Sequence, residues 1–111
     1  MDGSMSADPK PPADLGIRAL QERLQATYGH KDQARGAAGT FMYLMEEVGE
    51  LAEALREPHK HDLEGEFADC VAWLTSLANV AGVDLAAAVS AKYGPGCTRC
   101  GAVPCRCDSK P

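Results

Sequence analysis

The chain of 111 residues is long enough for one domain, and its formal net charge of −5 is concentrated in the middle of the sequence. Between Gly36 and Ala91 there are ten acidic residues but only two basic ones, Arg56 and Lys60. An acidic centre argues against a groove for nucleic acid, and no apolar run approaches the length of a membrane span. The N-terminus lacks the apolar core of a secretory signal, and five cysteines without such a signal indicate a cytoplasmic protein with metal-bound or free thiols.

The predicted elements are helices. Residues 1–13 are rich in Pro, Asp and Ser and predict a disordered arm. Apolar residues at helical spacing predict a first helix over residues 14–28, which Gly29 ends, followed by a polar connector over residues 30–39. A second helix begins near Phe41 and is limited by Pro58.

The third and fourth helices carry clear start and stop signals. Asp62 is a suitable N-cap for a third helix that ends near Gly82, and Asp84 for a short fourth helix that Gly94 stops. The short connection between the second and third helices implies an antiparallel hairpin. The prediction is therefore an all-α helical domain over residues 14–93, completed by oligomerisation as small helical chains often are, with a separate tail over residues 94–111.

Each of the two long helices has a continuous apolar stripe, which predicts the face that lies in the core. In the second helix the stripe comprises Phe41, Leu44, Met45, Val48, Leu51, Ala52 and Leu55. In the third it comprises Leu63, Phe67, Cys70, Val71, Leu74, Leu77 and Ala81.

Carboxylates are grouped on these two helices. Glu50 lies four residues after Glu46 and three after Glu47, so its side chain neighbours both, and these carboxylates repel one another unless cations lie between them. On the third helix Asp69 stands in an otherwise uncharged stretch that predicts burial, and Glu66 lies one turn before it. Oxygen ligands of this kind suit Mg²⁺ or Mn²⁺. A solvated acidic face, or salt bridges to Arg18, Arg23, Lys31 or Arg35, are the alternatives.

The segments FMYLMEEVGELAEAL and EFADCVAWLTSLANVAGVDLAAAVSAKY together resemble the MazG-like nucleoside triphosphate pyrophosphohydrolases, which carry EExxE followed by ExxD. The resemblance implies an all-α fold whose subunits form homodimers or homotetramers, and a Mg²⁺-dependent reaction, NTP + H₂O → NMP + PPi, that removes unwanted nucleotides. It implies a catalytic group formed by five carboxylates. They are Glu46, Glu47, Glu50, Glu66 and Asp69.

The resemblance assigns the Mg²⁺ ligands to Glu47, Glu50, Glu66 and Asp69, while Glu46 binds a second metal or orients the attacking water. Asn79 and Lys92 resemble family residues that contact the nucleotide. Lys31 and Arg35 are further candidates for the phosphates and Trp73 for the base, although plain solvated charge and core packing are the alternatives for these three.

The tail sequence CTRCGAVPCRC places Cys97, Cys100, Cys105 and Cys107 within eleven residues. Four thiolates can surround one tetrahedral Zn²⁺ and leave no open position, which predicts a structural zinc site. The alternative is a disordered tail with thiols that oxidise readily. Cys70 lies on the apolar stripe of the third helix and is predicted to be a core residue.

Two other functions are compatible with the sequence. The acidic helices could hold cations or a nucleotide without turnover, in an interaction module whose zinc knuckle docks a partner protein. A phosphoribosyl-ATP pyrophosphohydrolase is the second enzyme class with a similar fold and similar carboxylates.

Overall fold

The computed structural model describes residues 14–109, so the predicted disordered arm at residues 1–13 lies outside the described residues. Its elements are helix α1 (Ile17–Arg56), a short 3₁₀ turn (Pro58–Lys60), helix α2 (Leu63–Ala81) and helix α3 (Leu85–Tyr93). No strand occurs in this part of the chain, and the predicted all-α class is confirmed.

Helix α1 consists of two segments that meet at Gly36. The backbone of Gly36 has φ 82° and ψ 175°, a conformation open essentially to glycine alone. The predicted helix end at Gly29 and the predicted connector over residues 30–39 are therefore wrong, because the helix continues through Gly29 to the break at Gly36. A glycine inside a helix costs only about 1 kcal/mol, and Gly29 and Asp32 are both buried in this stretch, so packing holds it helical.

The predicted caps of α2 and α3 are confirmed. The Asp62 carboxylate accepts a hydrogen bond of 3.1 Å from the backbone N–H of Gly65, and Asp84 accepts one of 3.1 Å from Ala87. Gly82 ends α2 in the left-handed conformation, with φ 73°. The sequence signals at these ends are local, which is why they could be read without knowledge of the tertiary contacts.

Helices α1 and α2 pack against each other in antiparallel directions, as predicted. Glu47 lies near Asp69, and Tyr43 stacks on Trp73. The Asn79 side chain donates a hydrogen bond to the backbone carbonyl of Gln21. Residues later in α2 therefore contact residues earlier in α1. The buried side chains between the helices are small or medium in size. They are Leu24, Thr40, Leu44, Ala54, Thr75, Ser76 and Ala78.

The predicted core stripes are only partly buried within the chain. Leu44 is buried, but most of the large stripe residues are between 44% and 55% exposed. We call these residues the open apolar face: Phe41, Met45, Val48 and Leu55 of α1 with Phe67, Val71 and Leu74 of α2. The helical periodicity was predicted correctly, but α2 turns Thr75, Ser76 and Ala78 towards α1 because small side chains allow the two backbones to approach.

Hydrogen bonds and an ion pair connect the start of α1 to the junction between α2 and α3. The Gln21 side chain donates to the carbonyl of Val83 at 2.7 Å and accepts from the N–H of Leu85 at 3.0 Å. Arg18 forms an ion pair of 2.8 Å with Asp84. Within residues 14–109 no single helix is long and apolar enough to cross a membrane. In this range, only α2 and α3 taken together, as a bent pair, have the length and composition of a membrane span.

Candidate functional site

Three carboxylates from two helices meet at one point. Glu47 comes from the second segment of α1, and Glu66 and Asp69 come from successive turns at the start of α2. One oxygen of each lies within 4.8 Å of an oxygen of the other two. We call these three residues the acidic trio. The spacing of three residues between Glu66 and Asp69 places both on the side of α2 that faces Glu47.

The carboxylates of the trio disfavour one another's charge. Burial raises the pKa of Glu47 most, followed by the charges of Glu50 and Asp69 and then of Glu66 and Glu46. Burial also raises the pKa of Glu66, again with support from Glu50 and Asp69. Glu50 therefore lies close enough to act on the trio electrostatically, although it is itself exposed.

A divalent cation fits the acidic trio. Oε2 of Glu47 is buried and has no hydrogen-bond partner among residues 14–109, and three anionic oxygens without a cation repel one another. Hard oxygen ligands are the donors that Mg²⁺ and Mn²⁺ prefer. Of the basic side chains considered as alternative partners, Arg18 pairs with Asp84 and Arg35 pairs with Asp32.

Two of the predicted catalytic carboxylates lie at the edge of this arrangement. Glu50 is the neighbour described above, and Glu46 is exposed beside Tyr43 in a shallow groove. Asp69 is also exposed, so the prediction that it is buried is wrong. The reason is that, within the described residues, α1 covers only one side of α2 and leaves this part of the helix accessible.

A cavity of about 360 Å³ adjoins the trio, and Asp69 belongs to both. It lies between the first segment of α1 and the middle of α2. Its lining residues include Tyr28, Lys31, Asp32, Arg35, Asp69 and Trp73. This volume falls within the range of about 300–1,000 Å³ that is common for small-molecule sites.

The structure brings three of the five predicted substrate-binding residues together at this cavity, namely Lys31, Arg35 and Trp73. Asn79 instead donates a hydrogen bond of 3.2 Å to the carbonyl of Gln21 and lines a separate groove beside Asp84. Lys92 is on α3, with its ammonium group 5.8 Å from the centre of the Tyr93 ring.

Trp73 lines the cavity and contacts two further flat groups, the Tyr43 ring and the Arg35 guanidinium. The rings of Tyr43 and Trp73 lie 5.0 Å apart at an angle of 18°. The guanidinium carbon of Arg35 is 4.9 Å from the centre of the Trp73 ring and 5.4 Å from that of Tyr43. Cation–π attraction of this kind holds the Arg35 side chain against the two rings.

Asp32 is the cavity residue that the sequence did not reveal. Its carboxylate is buried and accepts a hydrogen bond of 2.9 Å from Nη1 of Arg35. Because residues 30–39 were interpreted as a polar connector, Asp32 was given no role. The spacing of three residues between Asp32 and Arg35 is the local signal that could have indicated a helix with an ion pair here.

The four cysteines of the tail form a second cluster. Their sulfur atoms all lie within 4.8 Å of one another, and the sulfurs of Cys97 and Cys107 are 3.8 Å apart. Backbone N–H groups donate to three of these sulfurs: Cys97 receives bonds from Arg99 and Cys100, Cys100 from Arg106, and Cys105 from Cys107.

These hydrogen bonds favour thiolates. The N–H groups of Cys100 and Arg99 lower the pKa of the Cys97 thiol to about 6, and the N–H of Arg106 lowers the pKa of Cys100. Four sulfurs around Zn²⁺ at about 2.3 Å would be about 3.8 Å apart, which is the separation of Cys97 and Cys107. The cluster therefore fits zinc in its donor chemistry and in its size.

The carboxylate spacing, the helical hairpin and the adjacent cavity can be compared with known proteins. The profile of the MazG nucleotide pyrophosphohydrolase domain matches residues 36–94, more than half of the chain. The match contains the whole acidic trio and begins at the break in α1, so Lys31, Asp32 and Arg35 precede it. No curated protein matches the chain. The chain belongs to the family of MazG nucleotide pyrophosphohydrolase domains.

Proposed function

We propose that this protein is a Mg²⁺- or Mn²⁺-dependent nucleoside triphosphate pyrophosphohydrolase that converts NTP and water to NMP and pyrophosphate. Membership of the family supports nucleotide pyrophosphohydrolase activity in general and the use of divalent metals. The observation that carries the finer proposal is the acidic trio, in which a buried oxygen of Glu47 lacks a donor beside a cavity that could admit a nucleotide.

Glu47, Glu66 and Asp69 would hold the ion, and Glu50 is near enough to join them or to accept a proton from the attacking water. When bound, a divalent ion neutralises the triphosphate and acidifies a water molecule. Lys31 at the cavity wall could contact the phosphates. Arg35 is less available, because Asp32 and the two aromatic rings already hold it.

Pyrophosphate release from a panel of ribo- and deoxyribonucleoside triphosphates, measured with and without Mg²⁺, tests the proposal. We expect turnover that requires the metal and is abolished in Asp69→Asn and Glu66→Gln, while the helical circular dichroism is unchanged. Glu53→Gln on α1 and Glu64→Gln on α2 are matched controls outside the trio, and both should keep full activity. Full turnover in Asp69→Asn would remove Asp69 from the site.

Two alternatives are decided by adding a non-hydrolysable analogue and phosphoribosyl-ATP to this panel. No turnover of any nucleotide, together with tight binding of a non-hydrolysable analogue, would favour a binding module without catalysis. Turnover of phosphoribosyl-ATP in preference to all nucleoside triphosphates would favour the second enzyme class. A role in removing unwanted nucleotides and a cytoplasmic location remain predictions.

We also propose that the chain forms a homodimer or homotetramer through the open apolar face. Its seven large apolar side chains are about half exposed in the single chain, and an exposed apolar patch of this kind usually marks an interaction surface. Phe67, Val71 and Leu74 recur at i, i+4 and i+7, so they lie on one side of α2.

For the tail we propose one structural Zn²⁺ bound by Cys97, Cys100, Cys105 and Cys107. This rests on the size of the cluster and on the N–H groups directed at the sulfurs. All five cysteines of the chain are free thiols in the structure.

A further inference from the structure

Two buried carboxylate oxygens have no hydrogen-bond partner within the described part of the chain, Oε2 of Glu47 and Oδ2 of Asp32. The first belongs to the acidic trio and is explained by a metal ion. The second is not used by the proposed reaction. Asp32 is 3% exposed and lines the cavity. Asp69 also lines this cavity and belongs to the acidic trio. A buried acceptor without a donor is unfavourable, so this oxygen indicates a ligand that donates a hydrogen bond.

The neighbours of Asp32 fix the direction of its carboxylate. Nη1 of Arg35 donates to Oδ1 at 2.9 Å, and the same nitrogen lies 3.4 Å from the hydroxyl oxygen of Thr40, which is completely buried. Arg35 is held in turn by the Tyr43 and Trp73 rings. Because Oδ1 is occupied by Arg35, Oδ2 is the oxygen left to accept a bond from a ligand.

The shape of the cavity favours a flat ligand. Tyr28, Trp73 and Arg35 line it, and the Tyr43 ring supports Trp73 by stacking on it. Aromatic rings and guanidinium planes attract other planar π-systems, including nucleobases. Since Asp69 lies at the edge of the cavity, a base bound there would have its phosphates within reach of the acidic trio.

We propose that this cavity binds the nucleobase of the substrate and that Asp32 selects bases with an exocyclic amino group, such as cytosine and adenine, over their keto counterparts, uracil and hypoxanthine. An amino group donates to Oδ2, whereas a keto oxygen in its place would face a carboxylate oxygen and repel it. The inference rests on the proposed function, which supplies the nucleotide. Lys31, Asp32 and Arg35 precede the residues that match the family, so the match itself assigns them no role.

The contact requires a small adjustment of the cavity wall, because Oδ2 is closed to water in the unliganded chain. Changes of side-chain rotamer on this scale are common when ligands bind. Such changes leave Oδ2 as a hydrogen-bond acceptor, since Arg35 keeps the other oxygen of Asp32 in place.

Two matched pairs of substrates isolate the amino group, namely CTP against UTP and ATP against ITP. We expect wild-type kcat/KM to favour the amino member of each pair by about 10-fold or more. In Asp32→Asn, Arg35 retains the side-chain oxygen and the amide nitrogen takes the position of Oδ2. This nitrogen donates to a keto oxygen, so the preference should disappear or reverse. Glu22→Gln, an exposed change on the same helical segment, is the matched control and should keep the wild-type preference.

Calorimetric binding of CMP, UMP, AMP and IMP without metal gives a readout that needs no turnover, and the wild-type protein alone suffices if Asp32→Asn does not fold. Equal binding and equal kcat/KM within both pairs would overturn the inference, as would a preference that Asp32→Asn leaves unchanged. Absence of pyrophosphate release with every nucleotide would contradict the proposed function alone, because monophosphate binding still tests Asp32.

Discussion

The charges of Glu66 and Asp69 disfavour the ionised form of Glu47, and the charge of Asp69 disfavours that of Glu66. Burial and the neighbouring acids raise the pKa values of Glu47 and Glu66 above the usual range for glutamate. A carboxyl whose pKa is raised by folding stabilises the folded state at low pH, and this contribution is lost as the pH rises through the raised value. Without a metal ion, the trio therefore destabilises the fold at neutral pH.

The first prediction concerns Glu47→Gln in a metal-free buffer. The amide cannot ionise, so at neutral pH the variant should unfold at a higher temperature than wild type, and the difference should shrink as the pH falls towards the ordinary pKa of glutamate. Thermal unfolding in EDTA at several pH values measures this. Adding Mg²⁺ should stabilise wild type but not the variant.

Glu53→Gln is the control for that comparison, because Glu53 is exposed on the same helix and lies outside the trio. Its unfolding temperature should differ little from wild type at any pH. If Glu47→Gln and Glu53→Gln behaved alike with and without Mg²⁺, the repulsion within the trio would be too weak to matter.

The sequence was sufficient to name the three residues of the acidic trio, but it did not reveal the cavity beside them. The spacings in EExxE and ExxD fix which carboxylates share a helix face, so Glu47, Glu66 and Asp69 could be named from periodicity and resemblance. The role of Asp32 depends on Trp73 and Asp69, which are distant in sequence and approach only when α1 packs on α2. The exposure of Asp69 could not be predicted for the same reason.

Among the helices, the break in α1 decides where the cavity lies. The segment that ends before Gly36 carries Lys31, Asp32 and Arg35, and the segment after it carries Tyr43 and Glu47. A change of direction between them lets Arg35 fold back over the Tyr43 ring. The cavity thus depends on the conformation of one glycine.

The second prediction is that Gly36→Ala destabilises the protein by about 1–3 kcal/mol, because a Cβ is strained at φ 82° and ψ 175° although no atom lies within 4 Å to collide with it. Chemical denaturation measures the loss. Gly49→Ala is the matched comparison within the same helix, where an added Cβ also meets nothing within 4 Å but the backbone is helical.

At Gly49 the change should stabilise by roughly 0.5–1 kcal/mol, since alanine is the better helix former. The two substitutions add the same methyl group and should therefore have opposite signs. A stabilising Gly36→Ala would show that the break in α1 does not require the conformation described above.

Helix boundaries were predictable where the signal is local. Asp62, Gly82 and Asp84 act on groups within four residues, and the ends of α2 and α3 were predicted from them. The first helix was predicted to be too short, because Gly29 resembles a C-terminal glycine and the polar run after it resembles a connector. Burial of Gly29 and Asp32, which is a tertiary effect, outweighs that local signal.

For the whole molecule, the open apolar face is the feature that a single chain leaves unexplained. The third prediction is that Leu74→Lys shifts the protein towards monomer, because a lysine in a packed apolar interface loses hydration without gaining a partner. Light scattering during size-exclusion chromatography measures the mass. Val103→Lys in the tail is the control, since Val103 is 82% exposed and lies outside the face.

A wild-type protein that is monomeric at all concentrations would contradict the proposed oligomer. A Leu74→Lys protein with the mass of the wild-type oligomer would remove Leu74 from the interface. If Leu74→Lys is monomeric, keeps its helical circular dichroism and is inactive, activity depends on the assembled oligomer.

The fourth prediction concerns the tail. Freshly purified protein should contain about one zinc per chain, and Cys100→Ser should lose the zinc and the order of residues 97–107 while the helical domain stays folded. Elemental analysis and amide hydrogen exchange measure the two effects, with Cys70→Ser in α2 as the control that retains zinc. Absence of zinc from unchelated wild-type protein would contradict the structural zinc site.

The fold class was predictable as a whole because helical periodicity is carried by nearly every segment. What could not be predicted is which face of each helix meets its neighbour. The large apolar stripes of α1 and α2 were expected to form the core, yet the chain buries Thr40, Thr75 and Ser76 and leaves Phe67 and Val71 half exposed. A stripe that belongs between two subunits has the same pattern as one that belongs inside a subunit.

Binding of Mn²⁺, followed by electron paramagnetic resonance in wild type and in Asp69→Asn, tests the central claim most directly. The account predicts that wild type binds Mn²⁺ in competition with Mg²⁺, that Asp69→Asn weakens binding by at least about 10-fold, and that Glu53→Gln binds as wild type does. Equal Mn²⁺ affinity in wild type and Asp69→Asn would show that the acidic trio is not the metal site, and would contradict the account.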